Sequence, residues 1–165
     1  MALKIEYWIN NPILRARSEE LTQQELKKYE KFAKEMLKYV KNPKNWWVGL
    51  AAPQVGLNKR IIVCSLLEDW DDEDFRTIIM INPEILEKSD EKIIGKEWCL
   101  SLPKSPRWQV KRHKTIKFRY TDFKGKQHTL VVSELASVVV QHEIDHLDGI
   151  LYIDKLEKTW ILQES

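Results

Sequence analysis

The chain has 165 residues, enough to bury a real core, and is expected to form a single domain over residues 1–165. Its 27 basic and 25 acidic residues nearly cancel, to a net charge of +2, which gives no reason to invoke nucleic acid as a substrate. No apolar run approaches the length of a membrane span, and MALKIEYWINN lacks a signal-peptide core, so a cytoplasmic protein is expected, with Cys64 and Cys99 as thiols rather than a disulfide.

Residues 1 to 17 read as an irregular arm ending in NPILRAR, because Pro12 forbids a regular helix start before it. LTQQELKKYEKFAKEMLKYV reads as an amphipathic helix, with Thr22 and Glu25 as a capping box. Its apolar stripe is Leu26, Tyr29, Ala33, Met36, Leu37 and Val40, and Asn42-Pro43 ends it. Small residues crowd NWWVGLAAPQVGLNKR, which suits close approach of backbone to a ligand or a second strand, and Gln54 supplies an amide there. RIIVCSLL reads as a buried strand with Cys64 as plain core, and EDWDDEDF as an acidic surface loop. TIIMINPEIL is a strand stopped at Asn82-Pro83, and KIIGKEWCLSLP a further strand carrying Cys99. The basic residues from Lys104 to Arg119 read as a solvated face, and His113 and His128 as surface residues. TIKFRYTDFKGKQHTLVV is a hairpin turning at Lys124-Gly125-Lys126.

The chemistry concentrates in VVVQHEIDHLDGILY. His142 and His146 are four positions apart, one helical turn, so both imidazoles share a face and can bind one divalent metal. Glu143 beside them can act on water at that metal. Ser133 is the expected N-cap, Gly149 the stop, and Leu135, Val138 and Val139 continue the histidine stripe. A catalytic site wants a third ligand. In zinc proteases of the HExxHxxGxxH type it follows the second His by six residues, where this chain has Tyr152. Glu157 and Glu164 lie in the short tail with no supporting pattern, whereas Cys99 completes a thiolate–imidazole set suited to iron, zinc, nickel or cobalt.

Taken together, GLAAPQVG, EWCLS and QHEIDHLDG resemble, in this order, the three signature segments of the peptide deformylases, and NPILRAR, INPEI and GILYIDKL agree as flanks. The resemblance implies removal of formate from the N-formyl-methionine of new polypeptides. It implies an α+β fold of mostly antiparallel small sheets around the central HExxH helix, here with an amphipathic N-terminal helix. Carried over, the metal ligands are Cys99, His142 and His146; Glu143 is the general acid/base; Gln54 and the backbone N–H of Leu100 form the oxyanion site. The implied cofactor is one divalent ion per chain, Fe²⁺ by family habit, with Zn²⁺, Ni²⁺ or Co²⁺ as alternatives. The implied partners are N-formylmethionyl peptides and the ribosome near its exit tunnel, with no membrane, and the protein acts as a monomer.

A pocket for the methionine side chain is expected from Val48, Leu135, Val138 and Val139, with the peptide added as a strand between the Gly49 segment and the Cys99 strand. The chain departs from the family where Trp47 and Trp98 replace glycines, and in a tail, TWILQES, too brief for the ribosome-binding helix of many members to be assumed. Trp98 either shapes the groove beyond the methionine or packs into a subsidiary core. Three alternatives stand beside deformylation: an inactive peptide-binding relative, a zinc endopeptidase, and a purely structural metal site.

Overall fold

A computed structural model describes residues 3–45, 47–105 and 107–156. Helix α2 (Leu26–Lys41) and helix α3 (Glu134–Leu147) cover opposite faces of one antiparallel sheet. That sheet contains β1 (Gly49–Ala51), β2 (Ile61–Leu66), β3 (Arg76–Lys88), β6 (Thr115–Thr121) and β7 (Gln127–Ser133), in the spatial order β1-β2-β3-β6-β7. A second, two-stranded sheet pairs β4 (Lys92–Glu97) with β5 (Trp108–His113). No helix among the described residues is long and apolar enough to cross a membrane.

The apolar run Ile61–Cys64 of β2 follows from this layering. Alternate side chains face opposite sides, so Ile61 and Val63 join α2's Ala33, Met36 and Val40, while Ile62 and Cys64 join α3's Val139, Val140 and Ile144. Both sides are therefore dry from Ile61 to Cys64, and the buried hydroxyl of Ser65 that follows is satisfied by that of Thr77 at 2.9 Å. The α2 stripe is as read: Leu26, Ala33, Met36 and Val40 are buried, with Tyr29 and Leu37 packed beside them. Its start differs. The Glu25 carboxylate accepts from the Thr22 N–H (2.9 Å) and hydroxyl (3.2 Å), but the residues between form a separate turn and the regular helix begins at Leu26. Glu25 also binds Lys59 at 2.8 Å, which ties this turn to the segment before β2.

Other boundaries are corrected by tertiary contacts. The arm contains a one-turn helix, α1 (Pro12–Arg15), where Pro12 occupies the first turn that tolerates it and Asn11 caps Ile13 N–H. Strand β3 does not stop at Asn82-Pro83. It slips register between Ile81 and Glu84 and continues to Lys88, since a bulge accommodates a residue without an N–H. Asn82 sits there at φ +49°, and its amide bonds both the N–H and the carbonyl of Leu21, each at 2.9 Å. Ser133 precedes α3 without a side-chain cap bond; its hydroxyl instead meets that of Thr115 at 2.8 Å. Gly149 ends α3 at φ +72°, and a Cβ there would stand 2.8 Å from the Arg15 carbonyl carbon, so only glycine fits both the turn and the arm.

Candidate active site

Helix α3 buries its histidine face between the two sheets. The rings of His142 and His146 have centroids 5.0 Å apart, and Cys99 Sγ lies 3.3 Å from His146 Nε2. All three residues are buried, and one ligand atom from each falls within 4.8 Å of the others. A four-coordinate ion with bonds of about 2.0–2.3 Å needs ligand atoms some 3.5 Å apart, so this donor set fits a divalent metal.

Cys99 does not reach the site on a strand. β4 pairs only as far as Glu97, opposite Trp108, and the chain then turns, with Leu102 N–H bonded to the Cys99 carbonyl at 3.0 Å. A strand through Cys99 would point Trp98 and Leu100 away from the metal; with the chain turned, Trp98, Cys99 and Leu100 all line one cleft.

Behind His142 lies a buried charge network that the sequence reading missed. His142 Nδ1 meets Glu97 Oε2 at 2.7 Å, which leaves Nε2 for an ion and fixes the ring. Glu97 takes two bonds from Arg112, at 2.6 and 2.8 Å, and Arg112 also pairs with Asp145 of α3. Arg112 is 2 % exposed, so it does not belong to the solvated face expected for Lys104–Arg119. The one sequence signal was its period-two spacing from Val110, which faces inward on the same strand. Burial alone would raise the Glu97 carboxyl, but the bonds from Arg112 and His142 hold it at about 2. Burial lowers the His146 imidazole well below its usual value and so favours the neutral, ligating form. Burial also works against charge on His142, yet its bonds with Cys99 and Glu97 outweigh it and raise the group. Metal at Nε2 would replace that proton.

Glu143, one residue on, borders the same space. Burial pushes its carboxyl up to about 7, and Oε2 has no hydrogen-bond partner among the described residues. Such a carboxylate is poised to take and return a proton near neutral pH. Gly49 makes room for it: a Cβ on Gly49 would stand 2.8 Å from Glu143 Cγ and Cδ. Gln54 is oriented from behind. Its Oε1 accepts the Ala51 N–H at 2.9 Å, so Nε2 must face the other way, 3.6 Å from Cys99 Sγ and 3.3 Å from Ser101 Oγ. Tyr152, which stands where the protease pattern has its third His, is buried with its ring 6.1 Å from that of His142.

The cleft brings together Val48, Gly49, Gln54, Trp98, Cys99, Leu100, Leu135, Val138, Val139, His142 and Glu143. Its apolar floor is Val138 and Val139 of α3 beside Val48 and Leu135. At its mouth Trp98 packs on Trp47, with centroids 5.1 Å apart, and the Arg107 guanidinium lies 5.4 Å over the Trp98 ring. Trp98 is 42 % exposed, which rules out the subsidiary-core alternative. Glu157, Glu164 and TWILQES lie outside the described residues.

Comparison with known proteins agrees along most of the chain. A family model described as polypeptide deformylase matches residues 4–160. The peptide deformylase of Finegoldia magna is 38 % identical over 156 residues, 94 % of this chain and 91 % of that one. That of Synechocystis is 39 % identical over 135 residues, 82 % of this chain and 70 % of the relative. Among solved structures, the Thermotoga maritima peptide deformylase superposes with a TM-score of 0.82 at 32 % identity, covering 95 % of this chain and 99 % of its own. A class I type b enzyme from Acinetobacter baumannii, bound to Met-Ala-Ser, gives 0.83 at 31 % identity, covering 94 % and 99 %. With the three signature segments meeting in one cleft and these matches running through nearly all of the sequence, the chain belongs to the peptide deformylase family.

Proposed function

We propose that Cys99, His142 and His146 hold one divalent ion, around which Glu143, Gln54 and Leu100 carry out deformylation. The activity is that of the family: hydrolysis of the formyl amide of N-formylmethionyl peptides, releasing formate and a free α-amine. The observation that carries the residue assignment is the convergence of one thiol and two imidazoles beside a buried Glu143 carboxylate oxygen that has no hydrogen-bond partner among the described residues.

When bound, the ion supplies the Lewis acidity that makes water nucleophilic near neutral pH. Glu143 takes a proton from the attacking water and returns it to the leaving nitrogen, a role its raised value suits. The Gln54 amide and the Leu100 N–H donate to the oxygen on which negative charge develops; one such donor typically contributes about 10²–10³ in rate. The methionine side chain enters between Val48, Leu135, Val138 and Val139. The peptide backbone adds to β1, which among the described residues has a neighbouring strand on one side only, and Gly49 keeps that edge open beside Glu143. The tripeptide in the Acinetobacter relative supports a peptide of this kind as ligand.

Fe²⁺ is the proposed native ion, with Zn²⁺, Ni²⁺ and Co²⁺ as substitutes, because a thiolate with two imidazoles suits all four. The chain is proposed to act as one catalytic domain over residues 1–165, as a monomer in the cytoplasm, on peptides leaving the ribosome. Anaerobically purified protein assayed for formate release from formyl-Met-Ala-Ser, beside elemental analysis, tests this reading. One ion per chain with formate release supports it; full metal occupancy without formate release overturns it.

A further inference from the structure

The cleft does not end at its indoles. Trp47, Val48 and Trp70 line it and also line a second groove, which runs over Val40, Pro43, Phe75 and Ile78 between the end of α2 and the loop joining β2 to β3. Trp70 is 68 % exposed and Phe75 41 %, so two large aromatic side chains stand in solvent beside the catalytic cleft. An exposed pair of this size next to a peptide-binding edge points to a ligand surface rather than to fold stability.

The direction of the substrate leads to the same place. The reacting formyl group must lie by Cys99, Glu143 and Gln54. An added strand leaving that point antiparallel to β1 passes Gly49, then Val48, then Trp47, at about 3.4 Å per residue. With the methionine beside Gly49, the third residue of the peptide stands beside Trp47 and the fourth enters the second groove. Trp98, packed on Trp47 from the opposite wall, narrows the direct way out, whereas Trp70 belongs to both spaces.

On the basis of the deformylase reading, we propose that this groove is an extension of the substrate site, that its occupant is a large apolar side chain at the third or fourth position of the formyl peptide, and that Trp70 and Phe75 determine that specificity. The groove acts on binding of the ground state and the transition state alike, so it lowers KM and leaves kcat nearly unchanged.

The test compares three peptides with amidated C-termini: formyl-Met-Ala-Ser, formyl-Met-Ala-Gly-Gly and formyl-Met-Ala-Leu-Phe. The wild-type protein should favour the last by roughly 10-fold in kcat/KM, the scale on which apolar pockets discriminate, and through KM. Phe75→Ala and Trp70→Ala should each reduce the ratio of the two tetrapeptides toward one, and Trp70→Phe should keep most of it. Because the ratio is taken within one variant, loss of folded protein cancels from it. Equal kcat/KM for the two tetrapeptides in the wild type, or an unchanged ratio in both alanine variants, overturns the groove proposal while leaving deformylation intact. Absence of formate from all three peptides at full metal content overturns the activity itself, and the groove proposal with it.

Discussion

The back of the active site and its mouth are built on opposite principles. Behind His142, Glu97 and Arg112 are almost wholly enclosed and Asp145 is partly so, every charge has a partner, and the contacts span sheet and helix. At the mouth, Trp47, Trp98 and Trp70 are partly or largely in solvent, and Trp98 is held by packing on Trp47 and by one guanidinium. Satisfied buried charges fix geometry, since moving any of them exposes an unpaired partner to a low dielectric. Exposed indoles offer contact area with few rotatable bonds and can yield to a ligand. Chemistry is thus assigned to the rigid wall and selection to the adaptable one. Substitutions behind the metal should affect metal binding and folding, and those at the mouth should affect substrate preference.

The largest effect is expected between the two walls. Glu143→Gln keeps the shape of the side chain but cannot carry the proton, so kcat should fall by at least the roughly 10²–10⁴ typical of a general acid–base residue, with metal content unchanged. Formate release and elemental analysis on the same sample read both, and near wild-type turnover at full occupancy would refute the role. Next comes Gly49→Ala. Its methyl would collide with Glu143 Cγ and Cδ, and because displacement of a catalytic group by about 1 Å can cost about 10²-fold, kcat should fall on that scale while metal stays bound.

At the back, Glu97→Gln breaks a buried ion pair and frees the His142 ring. Stability should drop, by less than the about 3–5 kcal/mol of a fully stranded buried charge because Asp145 still pairs with Arg112, and metal affinity by about 10–100-fold, as for other partners of ligating histidines. The pH dependence has a definite sign. The folded state holds Glu97 at about 2, below the ordinary 4.5, so its contribution is complete above 4.5 and is lost as pH falls from 4.5 toward 2. Urea midpoints measured from pH 6 to pH 2.5 should converge for wild type and Glu97→Gln; a constant gap would show that the stabilisation is not ionic. The smallest effect belongs to the mouth. Trp98→Gly removes a half-exposed ring pair, worth about 0.5–1.5 kcal/mol beyond its buried area, and should change KM for residues after methionine without touching metal content. An unchanged KM profile for residues after methionine would show that Trp98 plays no part in substrate selection.

The same division governs what could be read from the sequence. The α2 stripe, the β6–β7 hairpin and the buried β2 follow local periodicity, and the structure keeps them. His142 and His146 were legible because helical spacing alone puts them on one face. Arg112 was not, because its partners lie 15 and 33 residues away and composition marks an arginine as surface. Cys99 was misplaced onto a strand because the apolar run through KIIGKEWCL continues past Glu97, where pairing ends. Likewise Pro83 looked like a stop, since a bulge that rescues a proline depends on the neighbouring strand, not on the residue. Contacts set by long-range pairing leave little trace in local pattern, and the supports of this site are of that kind.

The most direct test of the central claim is X-ray absorption at the metal edge of zinc-loaded protein. The expected first shell contains one sulfur at about 2.3 Å and two nitrogens at about 2.0–2.1 Å, with the sulfur lost in Cys99→Ser. A shell without sulfur in the wild type, or one that keeps its sulfur in Cys99→Ser, would contradict the assignment of Cys99, His142 and His146 as the ligands.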